Sequence, residues 1–437
     1  MTQFKSSHES HRVAWTVRLG PVDPLAAAGV LGPPTVFWES RARREVVAGF
    51  GTCAVLEPEE GASAEEALAL AARSLPLDWS GDVDAPRPPG VWFGGLSFTR
   101  RDPEDPRWAG FPAARFLLPD RLVWSRDGEA YATGFAESPA EARRLASLRT
   151  RLALLPQART PAHEGPVYRL LADRAQWDAL HARALEALGP GGGLSKVVLA
   201  RAIDVAAEGR LEPLAALERL RAEGTRGTAF AFAGADGSTF LGLTPETLLR
   251  VHGRRVETEA LAGTAPLAEA EGLLEDERIG REHGAVVEGI QAALEPLCER
   301  VMVDAQPALL RLKDVAHLRT RVAATLREGT PPAALVAALH PTPATGGTPR
   351  RGALDFLAAH EGLERGWYAG ALGWVGPEGM ELVVGLRSAL VRETSARLFV
   401  GAGVVAGSTA QGEWEETEAK ARPMLRALGV EPGAPRG

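Results

Sequence analysis

The sequence predicts an α+β protein built from large, mainly antiparallel sheets with helices on their outer faces. Three observations carry that expectation. Short runs rich in β-branched and aromatic residues recur along the chain, several of them joined by tight Gly-containing turns, as in Leu122-Val123-Trp124 and Ala130-Tyr131-Ala132 around Asp127-Gly128. Stretches with helical apolar spacing and recognisable start signals lie between these runs. Apolar runs with paired glycines, such as residues 91–98 (VWFGGLSF), suit core strands where two backbones approach closely. Many antiparallel strands with helices between them bury their apolar faces most simply as sheets covered by helices.

The bulk properties narrow the function classes. At 437 residues, 45% hydrophobic and 24% charged, the chain can bury a large core. Its net charge of −7 argues against nucleic acid or an anionic membrane as partner, although a local basic pocket can still hold an anion. Two cysteines, Cys53 and Cys298, have no paired spacing, so neither a disulfide framework nor a zinc site is expected and a reducing compartment fits best. The first residues lack the apolar stretch of a signal peptide, and no run of about 18 apolar residues occurs. The expected location is cytoplasmic, with no membrane partner.

Taken in order, Val36-Phe37-Trp38 and Val46-Val47-Ala48 read as strands, and residues 64–75 as a helix. Ser138 caps a helix that opens at Pro139 and runs to about residue 152. The polar, Pro-containing stretch 156–166 is the expected boundary. It separates an N-terminal scaffold subdomain of the same fold (1–158) from the region bearing the chemistry (159–430), with 431–437 as a tail. Asp173 then caps a helix whose apolar face is Trp177, Leu180, Ala184, Leu185 and Leu188. Residues 196–205 form a strand, Pro213 opens a short helix, and 228–233 with 239–243, then 248–251 with 255–259, form hairpins. Leu261-Ala262-Gly263-Thr264 reads as a small-residue turn, and 268–294 as one long helix. Residues 308–325 are strand-like, 332–339 helical, 340–347 a loop, 352–360 a short helix, and 367–375 and 380–391 strands.

Residues 398–420 (LFVGAGVVAGSTAQGEWEETEAK) organise the rest. A buried strand passes through Gly401-Ala402-Gly403, where absent side chains let a ligand approach the backbone. A helix starting near Gln411 then carries Glu413, Glu416 and Lys420 on one face. Two carboxylates at the end of a glycine-lined strand suit a hard cation that holds an anionic ligand. The same spacing also suits a solvated helix end, since acidic residues favour a first turn.

Five segments in order, SKVVLAR (195–201), TPE (244–246), LAGT (261–264), EH (282–283) and GAG…GEWEE (401–416), resemble the chorismate-utilising enzymes, the family of isochorismate, salicylate, anthranilate and aminodeoxychorismate synthases. HPTPATGG (340–347), WYAGALGW (367–374) and GLRSAL (385–390) extend the resemblance over about residues 160–428, and FGGLSF (93–98) carries it loosely into the N-terminal half. The resemblance implies two large antiparallel sheets packed together with helices outside and the active site between the sheets. It implies Mg²⁺ held by Glu282, Glu413 and Glu416, which suits an ion that binds carboxylate oxygens and keeps waters. It assigns the substrate side-chain carboxylate to Arg387, Lys420 and Tyr368 with backbone N–H groups near Gly401 and Gly403. Gly263, Thr264, His317 and Ala344 line the pocket.

By the same resemblance Lys196 is the general base of members that add water at C2 of chorismate, where aminating members carry Gln. Glu246 is the acid that protonates the departing C4 hydroxyl, a role requiring a raised pKa. Ala344 matches members that stop at isochorismate, where pyruvate-eliminating and aminating members tend to carry Thr. The implied activity is isochorismate synthesis, with menaquinone supply as the expected pathway on family frequency and siderophore supply or a salicylate synthase as alternatives. A non-catalytic chorismate-binding relative is the remote alternative. No amidotransferase subunit is implied, and a monomer is expected. Two departures stand out: Ala265-Pro266-Leu267 replaces a frequent basic residue after AGT, and Ile279 stands where some members carry a second carboxylate one turn before Glu282.

Overall fold

The computed structural model describes residues 12–58, 63–74, 78–82, 85–147, 167–170, 174–223, 227–313 and 315–436. The expected boundary at 156–166 and the expected Asp173 cap lie outside them.

Two sheets form the frame, one of 14 strands and one of 10. Along the first, the order is Val430–Arg436, Val167–Leu170, Lys196–Ala207, Ser395–Val404, Ser388–Arg392, Thr239–Thr244, Thr228–Ala233, Val36–Ser40, Glu45–Phe50, Arg121–Arg126, Glu129–Ala136, Val13–Gly20 and Asp78–Gly81. Along the second it is Cys298–Val303, Val315–Leu326, Arg255–Pro266, Thr247–His252, Gly379–Val384, Ala371–Gly376, Trp92–Leu96, Ala114–Leu118 and Ala54–Leu56. Nearly all neighbours are antiparallel; the parallel pairs are the two at the ends of the larger sheet, where Val430–Arg436 joins Val167–Leu170 and Val13–Gly20 joins Asp78–Gly81. Residues 431–436, expected as a tail, therefore continue an edge strand. Each sheet joins one block of strands from before the expected boundary to one block from after it.

Close packing follows from composition. Gly94 lies so near the Arg115 carbonyl that a Cβ would overlap it, so the paired glycines of residues 91–98 sit where strands meet. Trp108, Phe111, Phe240, Trp367 and Phe399 meet edge-on or tilted at centroid separations of 5.0–6.1 Å. Each such buried ring contributes about 1.5–3 kcal/mol through lost water contact, and together they form a floor on which Tyr368 stacks through Phe399.

Several expectations change in contact with the fold. Residues 261–264 make no turn: they run inside the strand Arg255–Pro266, and the register against Val315–Leu326 slips between Ala262 and Thr264. Gly263 is the extra residue, at φ +79°, with Ile279 packed where a Cβ would stand. Small residues here permit a bulge that bends the strand instead of reversing it. The long helix divides into a 3₁₀ segment, Leu267–Leu274, and a helix, Glu277–Leu294, because Asp276 accepts a bond from the Ile279 amide and starts the chain afresh. Residues 308–325 are a hairpin of Ala308–Arg311 and Val315–Leu326. Residues 367–370 form a turn, and the strand begins at Ala371.

Candidate active site

The cleft lies between the sheets at the glycine-lined end of Ser395–Val404 and holds about 720 Å³ of empty space open to solvent. Lys196 enters from the first residue of Lys196–Ala207, Glu246 from the turn between Thr239–Thr244 and Thr247–His252, and Gly263 and Thr264 from the bulge. His317 comes from Val315–Leu326, Ala344 from the loop after Ala333–Leu339, and Glu282 from Glu277–Leu294. Tyr368, Arg387, Gly401, Gly403, Glu416 and Lys420 complete the lining among residues named from the sequence. Glu413 is the exception: it faces an adjoining small polar cavity with Glu282, Glu416, Thr264, Ile279 and Gly403.

The glycines act by subtraction. A Cβ on Gly403 would stand 2.9 Å from Glu282 Oε1 and 3.0 Å from Lys196 Cε, and one on Gly401 would stand 2.9 Å from the Tyr368 hydroxyl. Their absence lets Lys196 Nζ donate to Glu282 Oε1 at 2.8 Å inside the barrier between sheets. Lys420 Nζ donates to the Gly401 carbonyl at 2.9 Å and to Glu416 at 2.5 Å, which leaves one of its three N–H groups for a ligand.

Glu246 is buried. Burial first, then the negative charge of Glu259, pushes its carboxyl up to about 8; Lys196, Lys420 and a bond to Thr342 pull the other way. The acid therefore keeps its proton at neutral pH. Burial, then the charges of Arg387 and Lys420, lowers the pKa of His317 well below its ordinary value, so the ring is neutral. Arg387 can only donate, so His317 Nε2 accepts from it at 2.9 Å and Nδ1 carries the proton facing Thr264 Oγ1 at 3.0 Å. Arg387 and Ala369 hold φ of 49° and 57°, an uncommon backbone state for side-chain-bearing residues that concentrates at functional sites. Burial raises the Tyr368 phenol above its ordinary range.

The carboxylate end is charge-crowded. Burial, then Glu416 and more weakly Glu282, pushes Glu413 up to about 7. Among the described residues no group of three His, Cys, Asp or Glu side chains is drawn together closely enough to hold a metal as it stands. Glu282 is engaged with Lys196, and Glu416 with Lys420. The donor chemistry nevertheless fits Mg²⁺: three side chains with oxygen donors alone surround one polar cavity, and a divalent cation there would offset the burial and the carboxylate repulsion that raise the Glu413 pKa. Ile279 lines this cavity without adding an oxygen.

Sequence reasoning passed over Arg365. It is a buried residue of the cleft wall, paired with Glu361 at 2.6 and 2.7 Å, and donates to the carbonyls of Thr345 and Val198. Glu361 also accepts from the Ala200 amide at 2.7 Å, so the pair ties the strand of Lys196 to the loop of Ala344. The one available signal was the i, i+4 spacing of Glu361 and Arg365. Glu259 and Thr342, which act on Glu246, were also passed over.

The family model described as chorismate binding enzyme matches residues 1–429. The chain belongs to the chorismate-binding enzymes. It is 34% identical to the salicylate biosynthesis isochorismate synthase of Pseudomonas aeruginosa over 95% of this chain and 90% of that protein. It is 37% identical to the isochorismate synthase MenF of Bacillus subtilis over 54% of this chain and 52% of that one. Among solved structures, the menaquinone-specific isochorismate synthase MenF of Escherichia coli superposes with a TM-score of 0.78 at 26% identity, covering 97% of this chain and 96% of the other. Anthranilate synthase component I of Streptococcus pneumoniae shares the fold, with a TM-score of 0.75 at 19% identity over 89% and 93% of the two chains. The two-sheet architecture expected from the sequence is thus that of the chorismate-binding enzymes. No helix among the described residues is long and apolar enough to cross a membrane.

Proposed function

We propose that this protein is an isochorismate synthase, converting chorismate to isochorismate. Water adds at C2, the ring double bond shifts, and the C4 hydroxyl departs. The observation that carries this is the pairing in one cleft of an amine, Lys196, with a buried carboxyl, Glu246, that holds its proton up to about pH 8. Lys196 takes the proton of the entering water, and Glu246 gives its proton to the departing hydroxyl, which leaves as water. Arg387, held by His317, and Lys420 bind the side-chain carboxylate, and Tyr368 closes that end.

Mg²⁺ held by Glu282, Glu413 and Glu416 would supply the positive charge that fixes the ring carboxylate. Glu282 Oε1 is the counterion of Lys196 in this structure. A carboxylate offers about four lone-pair sites, so Glu282 can keep this contact and still face a cation.

Ala344 supports release of isochorismate without pyruvate elimination. The enzyme acts without an amidotransferase subunit, as a monomer, in the cytoplasm. Menaquinone supply rests on family frequency; the Pseudomonas relative matched over nearly all of both chains favours salicylate supply as the second reading. Proton NMR of chorismate with purified protein tests the activity. New isochorismate resonances that require Mg²⁺ are expected. Pyruvate with salicylate, or no change, would overturn the reading.

A further inference from the structure

A second, wider cleft with about 1710 Å³ of empty space lies behind the wall that carries Glu246. Pro245 lines both clefts, with Glu246 in the first and Glu259 in the second. The hairpin of Thr247–His252 and Arg255–Pro266 keeps a regular ladder only from Arg250↔Glu257 to His252↔Arg255. Nearer the active cleft, side chains replace the ladder. Thr258 Oγ1 donates to the Leu248 carbonyl at 2.6 Å, and Glu259 Oε1 accepts the Thr247 amide at 3.0 Å. The strands splay there, which gives the turn at 244–247 its inward course. Its other fixings are the Glu246 amide on Thr244 Oγ1 at 3.3 Å and the Val384 amide on the Glu246 carbonyl at 3.1 Å.

We propose that Glu259 is a positioning residue for Glu246: from the far side of the wall its carboxylate fixes the turn through the Thr247 amide and sets an anion behind the buried acid. The proposal rests on the reading of Glu246 as the acid. The charged and titratable groups that act on Glu246 most strongly are Glu259 from Arg255–Pro266, Lys196 from Lys196–Ala207 and Lys420 from Ala410–Leu428; Tyr368 feels its charge, and Glu282, His317, Arg365, Arg387 and Glu416 line the same cleft. Glu259 is the one anion among the neighbours that act most strongly on Glu246. Around Glu259 itself stand Arg321, directly opposite on the adjacent strand, and Arg319, Glu257 and Arg250 in the same cleft. Arg250 feels the charge of Glu259 but makes its short contacts with Glu381 at 3.1 and 3.2 Å. The charge of Glu259 thus reaches Glu246 across a thin wall, while its oxygen holds the backbone.

Glu259→Gln separates the two effects, since the amide oxygen can still accept the Thr247 N–H but carries no charge. In this variant the basic limb of the turnover profile is expected to move down by about one pH unit, a loss of about fivefold at pH 8 and little below pH 6, with melting temperature and KM unchanged. Glu259→Ala, which removes both effects, is expected to lower kcat at every pH as well. The carboxyl titration of Glu246, followed in ligand-free protein by NMR of ¹³C-labelled glutamate and assigned by its disappearance in Glu246→Gln, reads the same shift without turnover. A lower midpoint in Glu259→Gln supports the proposal even if the protein never converts chorismate, in which case only the functional reading fails. An unchanged midpoint in that variant overturns the proposal whatever the activity.

Discussion

Two buried ion pairs lie close together in this molecule and do opposite things. Arg365 and Glu361 form a nearly closed set: two ionic bonds, two carbonyls and one amide use four of the five Arg365 N–H groups and both Glu361 oxygens, at the wall of the cleft. Lys196 and Glu282 meet at 2.8 Å and line a cleft with another acid, Glu246, and two more carboxylates nearby. A saturated pair resists change because every group lost strands another in low dielectric. A pair that opens onto a cleft can exchange partners for a ligand or cation, which a reaction centre needs. Burial alone does not separate architecture from chemistry.

That contrast can be broken in order of effect. Arg365→Ala is expected to destabilise the fold by about 3–5 kcal/mol, because Glu361 is left charged and enclosed; urea unfolding would check it, and a stability close to the parent would remove Arg365 from its structural role. Lys196→Gln is expected to lower turnover by about 10²–10⁴-fold while unfolding as the parent does, since Gln can still donate to Glu282. Its companion, Glu246→Gln, should lose the basic limb of the pH profile. The acid form of Glu246 is present below about 8 and is lost as pH rises through that value, so parent turnover should fall there. A parent profile flat from pH 6 to 10 would contradict the acid assignment. Gly403→Ala places a methyl against Glu282 Oε1 and Lys196 Cε, both ends of flexible side chains. It is expected to reduce kcat roughly tenfold by displacing the pair, with thermal stability nearly unchanged. Arg351→Ala breaks an exposed pair with Asp355 on Arg350–His360 and should change neither activity nor melting.

The sequence made much of this legible, for physical reasons. The glycine-lined strand and the helix carrying Glu413, Glu416 and Lys420 are local patterns, and Ser395–Val404 and Ala410–Leu428 appear where strand and helix periodicity put them. The fold class followed from hairpin signals that depend on neighbours a few residues apart. The bulge at Gly263 was illegible because what shapes it is Ile279, which fills the space beside it from another element. Arg365 was passed over because its carbonyl partner Val198 lies 167 residues away, and an i, i+4 spacing to Glu361 does not by itself mark a buried pair. Glu259 sat in a run read as ordinary strand; its significance depends on where the ladder stops.

The strand that presents Lys196 is zipped along its length to Ser395–Val404, with pairs running from Val197↔Val404 to Ala206↔Ser395. During synthesis, therefore, the ribosome must add about two hundred residues after Lys196 before its neighbour exists. Until then that strand has a bare edge, the kind of surface that nascent chains aggregate through and that chaperones cover. The same zipper means that a stop codon anywhere before residue 395 removes more than a tail, since it takes away the strand that joins the Lys196 strand to the rest of the larger sheet.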